Sequence, residues 1–224
     1  MPRETEIKLA IKDSKAFIRS LKRLGAVPLF PKTPRLHESN LIFDTPQGGL
    51  AKHGQLLRIR TETPAPDNKK PNPKTPSRHL LTFKSPPASL AMGAQASDFL
   101  PNQQSPSGRR YKIREETEMT ITDAGTLQKI FEGLGLRGWF RYEKYRTTYK
   151  LPSRAKWAQG LLIEIDETPI GNYVELEGPA DAIDRAAREL GYTPADYILK
   201  NYLVLYLDDC KNRGQQPTNM LFNP

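Results

Sequence analysis

Apolar residues recur along this chain at two different intervals. At helical spacing they fall in four places. The first opens at Asp13, whose side chain suits the free N–H groups of a helix start, and carries Phe17, Ile18, Leu21 and Leu24 until Gly25 stops it. The second covers residues 123–134, with Leu127, Ile130, Phe131 and Leu134 on one side and Gly135 after it. Residues 180–190 form the third, closed by Gly191. Residues 195–209 form the fourth, where Ile198, Tyr202, Leu205 and Tyr206 make the stripe.

Between these helices the interval is two. Glu4, Glu6 and Lys8 alternate with Thr5, Ile7 and Leu9. The same alternation runs through Leu57–Arg60, Leu81–Lys84, Lys112–Glu118, Tyr142–Tyr149, Ile163–Asp166 and Val174–Glu177. A solvated sheet face also alternates, but it mixes Thr, Ser, Lys and Gln. Here acids pair with acids at i and i+2: Glu4 with Glu6, Glu116 with Glu118, Glu164 with Asp166, Glu175 with Glu177. Bases are grouped too, Arg58 with Arg60, Lys112 with Arg114 and Lys144 with Arg146, with Lys8 and Lys84 in phase. Like charges roughly 7 Å apart on one strand face repel, so something of opposite charge belongs between them.

With residues 38–43 (ESNLIF) as an eighth strand, the pattern predicts an α+β fold. It is a closed eight-stranded antiparallel barrel with a charged interior, covered outside by the four helices. Hard divalent cations prefer carboxylate oxygen, and Arg and Lys suit a run of phosphates, so a metal-bound polyphosphate is the expected guest.

Composition narrows this little. With 34 Lys plus Arg against 25 Asp plus Glu, the formal charge of +9 favours an anionic partner without choosing among nucleic acid, a membrane surface and a phosphorylated small molecule. A single cysteine, Cys210, and the lack of a long apolar run make a reduced, cytoplasmic protein the default expectation, with no membrane partner. Residues 63–78 and 85–109 are rich in proline and poor in large apolar side chains, and are expected as mobile insertions in one domain covering residues 1–209. Residues 210–224 make a tail whose Met220, Leu221 and Phe222 are expected to dock on that domain rather than on a partner.

The opening ETEIK, Glu4 to Lys8, fits an ExExK signature, and further pieces follow it in order: IFDT (42–45), LRIR (57–60), LTFK (81–84), REETE (114–118), EKYR (143–146), IEID (163–166), YVELEG (173–178) and KNY (200–202). In these the chain resembles the CYTH superfamily, the triphosphate tunnel metalloenzymes that include class IV adenylyl cyclases and thiamine triphosphatases. The resemblance implies a metal-binding carboxylate set of Glu4, Glu6, Glu116, Glu118, Asp166, Glu175 and Glu177, serving Mg²⁺ or Mn²⁺. It implies phosphate clamps at Lys8, Arg58, Arg60, Lys84, Arg114, Lys144 and Arg146, with Glu4, Glu6 and Lys8 as the catalytic signature. One metal would orient the triphosphate and a second would activate the attacking oxygen.

The isolated His37, His53 and His79 form no metal motif, and no GxxxxGK[ST] or GxGxxG is present. Two reactions remain. Hydrolysis of inorganic triphosphate, ATP or thiamine triphosphate is placed slightly ahead of cyclisation of ATP to cyclic AMP and pyrophosphate, although the spacing looks most like the class IV cyclases. A non-enzymatic polyphosphate or RNA-binding module ranks lower. Nucleic-acid readers interleave exposed aromatics with their bases, whereas Phe83, Tyr145 and Tyr149 fall in the outward phase. The sequence leaves the oligomeric state open, a homodimer included.

Overall fold

The computed structural model describes residues 3–66, 71–72, 74–86 and 110–222. Among the described residues nine strands appear in chain order: β1 (Arg3–Ala10), β2 (Val27–Pro28), β3 (Arg35–Asp44), β4 (Leu56–Pro64), β5 (Arg78–Lys84), β6 (Lys112–Ile121), β7 (Arg137–Lys150), β8 (Leu162–Thr168) and β9 (Gly171–Glu177). The helices are α1 (Ser14–Arg23), α2 (Gly49–Lys52), α3 (Ala124–Gly133), α4 (Ala180–Glu189) and α5 (Tyr202–Arg213).

Eight strands run β7-β3-β4-β5-β6-β1-β9-β8, and β8 pairs back onto β7, so the sheet closes with every neighbour antiparallel. β2 is an extra two-residue strand on one end of β7, too short to leave a period in the sequence. β4 extends to Pro64 and β5 begins at Arg78, so the first proline-rich stretch connects neighbouring strands. Its residues 67–70 and 73, and residues 87–109 of the second stretch, are outside the described residues, and the expected mobility falls on them.

The inward face is ionic and the outward face oily, and the packing explains why this register holds. Ile7, Leu9, Ile163, Val174 and Leu176 point outward and are buried against Phe17 and Leu21 of α1 and Ile183, Ala186 and Ala187 of α4. Each fully buried Ile, Leu or Phe contributes about 1.5–3 kcal/mol. A one-residue slip of β1 would exchange Ile7 and Leu9 for Glu6 and Lys8 beneath those helices, so the apolar layer fixes the charges inside. Gly178, directly after β9, has φ +143 and approaches the turn at Gly160 so closely that a Cβ would meet the Gly160 oxygen at 2.5 Å.

Helix starts follow the capping chemistry. Asp13 accepts from the Ala16 N–H at 3.0 Å and Asp123 from that of Thr126 at 2.9 Å. The fourth predicted helix begins later than its period suggests. Pro194–Asp196 make a 3-10 turn, Ile198 forms a bridge with Lys8 of β1, and Asn201 then caps α5 by accepting from Val204 N–H at 2.9 Å. Ile198 matches the stripe by spacing but docks on the sheet edge. The same helix runs on to Arg213, past residue 209, and Gly214 ends it with φ +64. Beyond it Met220, 1% exposed, packs with Ile42, Phe140, Tyr142 and Tyr202. Among the described residues no helix is long and apolar enough to cross a membrane.

Candidate active site in the barrel lumen

The lumen forms a cavity of about 710 Å³ to which each of the eight strands contributes at least one charged side chain, β3, β5 and β8 one each through Asp44, Lys84 and Glu164. Three groups of contacts order it. On the β1–β6 side, Lys84 bridges Glu4 at 2.6 Å and Glu116 at 2.7 Å, and Lys112 donates to Glu6. On the β8–β9 side, Lys8 meets Glu175 at 2.8 Å, and Arg146 sits among Asp166, Glu164 and Glu175. Asp166 also accepts from Lys144 at 2.9 Å and from the Tyr202 hydroxyl at 2.6 Å. On the β3–β4 side, Arg60 donates to Asn40 at 3.0 Å and Glu38 at 3.3 Å.

Arg58 is different. It is 6% exposed, donates to two neutral hydroxyls, Tyr142 at 3.1 Å and Thr82 at 3.2 Å, and has its nearest carboxylate, Glu116, at 3.9 Å. Its Nε has no hydrogen-bond partner. A buried guanidinium held by neutral groups is short of negative charge, which is what a phosphate supplies.

The carboxylates divide into two electrostatic kinds. Burial pushes Glu6, Glu38 and Glu175 upward, but their cationic neighbours win: Lys112 over Glu6, held near about 2, Arg60 over Glu38, also near about 2, and Lys8 over Glu175. Glu4 goes the other way, raised to about 7 by burial and by Glu6 and Glu116 despite Lys84. Glu116, beside it, is lowered to about 2 against burial by Glu4, Lys84 and Arg58, so of these two acids Glu4 is the one that takes a proton first. Glu177 is raised to about 8 by burial and by Glu164, Glu4 and Glu6.

Acids so crowded that Glu4 and Glu177 are raised toward neutrality, while Glu6 and Glu116 stay ionised beside lysines, are a donor set that fits a hard divalent cation. Glu4, Glu6, Glu116 and Glu177 make that set. As they stand, no three such groups among the described residues converge on one ion position, because Lys84 and Lys112 draw Glu4, Glu6 and Glu116 to themselves. Accepting a metal therefore means exchanging these ion pairs.

All but one of the site residues expected from the sequence line the cavity, and the exception, Asp166, is buried behind it. Asp166 is fully buried and saturated by Lys144, Arg146 and Tyr202, and Glu118 accepts from Thr82 at 3.0 Å. Arg114 spends its guanidinium on backbone oxygens, Gly54 at 2.6 Å and Ser85 at 2.9 Å, and so fastens two loops at one mouth. Asp44 of the IFDT stretch accepts from the N–H groups of Thr45, Leu50 and Ala51, which holds α2 there.

Sequence reasoning left out Glu38, Asn40, Tyr142 and Tyr202. Glu38 and Asn40 alternate in phase with Ile42, and Tyr142 with Lys144, so the alternation that found the others reaches them. Tyr202 carried no such signal, since its place depends on where α5 docks.

No curated protein matches the chain by sequence. Solved structures share its fold at low identity. A Vibrio parahaemolyticus protein provisionally named an adenylate cyclase has a TM-score of 0.61 at 20% identity, covering 90% of this chain and 97% of its own. A Pyrococcus horikoshii protein has a TM-score of 0.61 at 19% identity, with 92% and 98% covered. A Hippeastrum protein provisionally named an adenylyl cyclase, and described as having a dominant triphosphatase activity, has a TM-score of 0.52 at 18% identity, with 96% and 97% covered. Residues 2–202 match the sequence profile of the CYTH domain. With nearly the whole barrel inside that match, the chain belongs to the CYTH domain family, whose members are in general divalent-metal-dependent enzymes acting on triphosphates.

Proposed function

We propose that the protein hydrolyses the terminal phosphoryl group of a triphosphate inside the barrel. The observation that carries this reading is Arg58, a buried guanidinium turned into the lumen with neutral partners and a free Nε. Arg60, Lys8, Lys144 and Arg146 continue the positive wall beside it. Phosphoryl transfer needs chiefly positioning and neutralisation of charge on the oxygens, which these side chains supply.

Glu4, Glu6 and Glu116 would hold Mg²⁺ or Mn²⁺, which when bound supplies further neutralisation of the phosphates and polarises the attacking water. Lys84 and Lys112, which hold those acids in the metal-free lumen, would then be available to phosphate oxygens. The Glu177 carboxyl, raised to about 8 by burial and by Glu164, Glu4 and Glu6, holds a proton at neutral pH in the metal-free lumen and would give it up on joining Glu4, Glu6 and Glu116 around a cation.

Cyclisation of ATP is the second reading. Leu56, Trp139, Leu203 and Leu207 give one part of the cavity an apolar wall, with Gln55 and Asn201 beside it, and such a shelf suits a planar base. Product analysis after incubation with inorganic triphosphate and with ATP, in Mg²⁺ and in Mn²⁺, separates the two. Orthophosphate from triphosphate without cyclic AMP supports hydrolysis; cyclic AMP with pyrophosphate from ATP replaces it with cyclisation.

A further inference from the structure

The barrel seam is incomplete along β7. One edge of β7 pairs with β3 from Arg137 to Thr147, but on the other edge β8 reaches only Tyr145 to Tyr149. Residues 141–143 therefore present unpaired backbone on that edge, and the C-terminal segment takes it. Tyr142 and Met220 form a parallel bridge in which Glu143 N–H donates to Met220 O at 2.9 Å and Met220 N–H to Arg141 O at 3.0 Å. Arg141 N–H donates to Asn219 Oδ1 at 2.8 Å, and the Phe222 ring lies 4.9 Å from that of Tyr145. The same segment grips α5, since Thr218 N–H donates to the Tyr206 hydroxyl at 3.1 Å.

These contacts join the barrel wall to α5 at the point where both reach into the lumen. Met220 fills the space among Ile42, Phe140, Tyr142 and Tyr202. The Tyr142 hydroxyl receives Arg58, and the Tyr202 hydroxyl donates to Asp166. The Tyr202 ring also lies beneath two lysines, with Lys8 Nζ at 4.7 Å and Lys144 Nζ at 5.2 Å from its centre. Residues 218–222 lie beyond the 2–202 stretch that matches the family profile.

We infer that residues 218–222 are a clip that sets the phosphate-binding wall of the tunnel, with Met220 as its positioning residue acting through Tyr142 and Tyr202. The role of that wall rests on the triphosphate reading above; the fastening of α5 does not. Loss of the clip frees Tyr202 from Asp166 and Lys144, and frees Tyr142 from Arg58.

The test uses the full chain with Met220→Asp, with Met220→Leu as rescue, and with Asn219→Ala as a milder variant should Met220→Asp fail to fold. Two readouts are taken. Hydrogen–deuterium exchange is followed at the amides of Lys8 and Ile198, which bond each other at the approach to α5 and are not touched by the tail. Inorganic triphosphate affinity is measured by calorimetry in chelator.

The expected result for Met220→Asp, or in weaker form for Asn219→Ala, is faster exchange at Lys8 and Ile198. Triphosphate binding should be about tenfold weaker, equivalent to losing roughly one charge-assisted hydrogen bond. Met220→Leu should restore both. Exchange that rises only at residues 141–143, with affinity unchanged, overturns the clip. A wild-type protein that binds no triphosphate in chelator and releases no orthophosphate from it in Mg²⁺ overturns the proposed function instead, and the exchange result still decides the clip.

Discussion

Tyr202 on α5 donates its phenol proton to Asp166 on β8 across 2.6 Å, inside the barrel and out of reach of water. Both oxygens of Asp166 are taken, Oδ1 by Arg146 and Oδ2 by Lys144, Arg146 and Tyr202. A carboxylate so occupied orders cations and has no lone pair directed at an ion. Asp166→Asn removes the counter-charge that Lys144 and Arg146 share, and although Lys144 keeps Glu38 and Arg146 keeps Glu164 and Glu175, the loss should be about 3 kcal/mol. Thermal unfolding should show a fall in Tm on the order of 10 °C. Mn²⁺ affinity in the folded fraction should stay close to wild type; a variant that keeps its Tm and loses the metal would return Asp166 to the metal-binding set.

Arg58 supports the opposite expectation. Its hydrogen-bond partners are hydroxyls, its Nε has none, and its nearest carboxylate, Glu116, stands at 3.9 Å, so its burial is incompletely compensated in the folded state. Arg58→Met should leave stability within about 1 kcal/mol of wild type or raise it, while raising KM for triphosphate about 10- to 100-fold, the loss of one or two hydrogen bonds to charged oxygens. Steady-state kinetics alongside thermal unfolding check both halves. A large fall in Tm with KM unchanged would make the residue a structural arginine.

The eight barrel strands were legible because one physical rule, burial on one side only, writes a period of two into each of them. The ionic lining was legible at Glu4 and Glu6 or Arg58 and Arg60, where like charges repeat. Glu38 and Asn40 obey the same rule without forming a like-charged pair, so a search for such pairs passes over them. Tyr202 was legible only as part of an apolar helix stripe and Met220 only as a tail residue that docks on the domain; where each lands was not. Their positions are set by long-range docking, α5 on the lumen and the tail on the free edge of β7, and no local interval encodes where a helix or a tail lands.

Glu4 and Glu6 stand among acids that repel them, Glu116 and Glu6 for the first and Glu175 for the second. Replacing either by Gln keeps its volume and relieves that repulsion. The expected outcome is an intact fold by circular dichroism, Mn²⁺ affinity weakened at least tenfold, and turnover lost. Glu6→Gln should also lower Tm more than Glu4→Gln, because Lys112 is then left buried with its principal counter-charge gone, whereas Lys84 retains Glu116. Full activity in both variants would remove these acids from the metal-binding set.

The raised acids give the metal-free protein an unusual alkaline limb. Glu4 and Glu177 have folded values of about 7 and about 8 against 4.5 for an ordinary Glu. Between pH 4.5 and those values the folded chain keeps protons that the unfolded chain has released, so stability falls as pH rises through the window. Glu6, Glu38 and Glu116, lowered to about 2, act in reverse. Their contribution is full above pH 4.5 and is lost as pH drops toward 2. In chelator, the Tm should therefore peak near about pH 4.5, where the lowered acids contribute fully and the raised acids still cost nothing, and decline from there toward pH 8. Saturating Mn²⁺ should flatten that decline, because the cation takes over the neutralising role of the protons. By the same linkage Mn²⁺ binding should weaken as pH falls below 7, by up to about tenfold per pH unit for each proton displaced. Thermal unfolding from pH 4 to 9 with and without metal measures both effects. A metal-free Tm that keeps climbing to pH 8 would mean that Glu4 and Glu177 are ionised throughout and that the lumen does not need the cation.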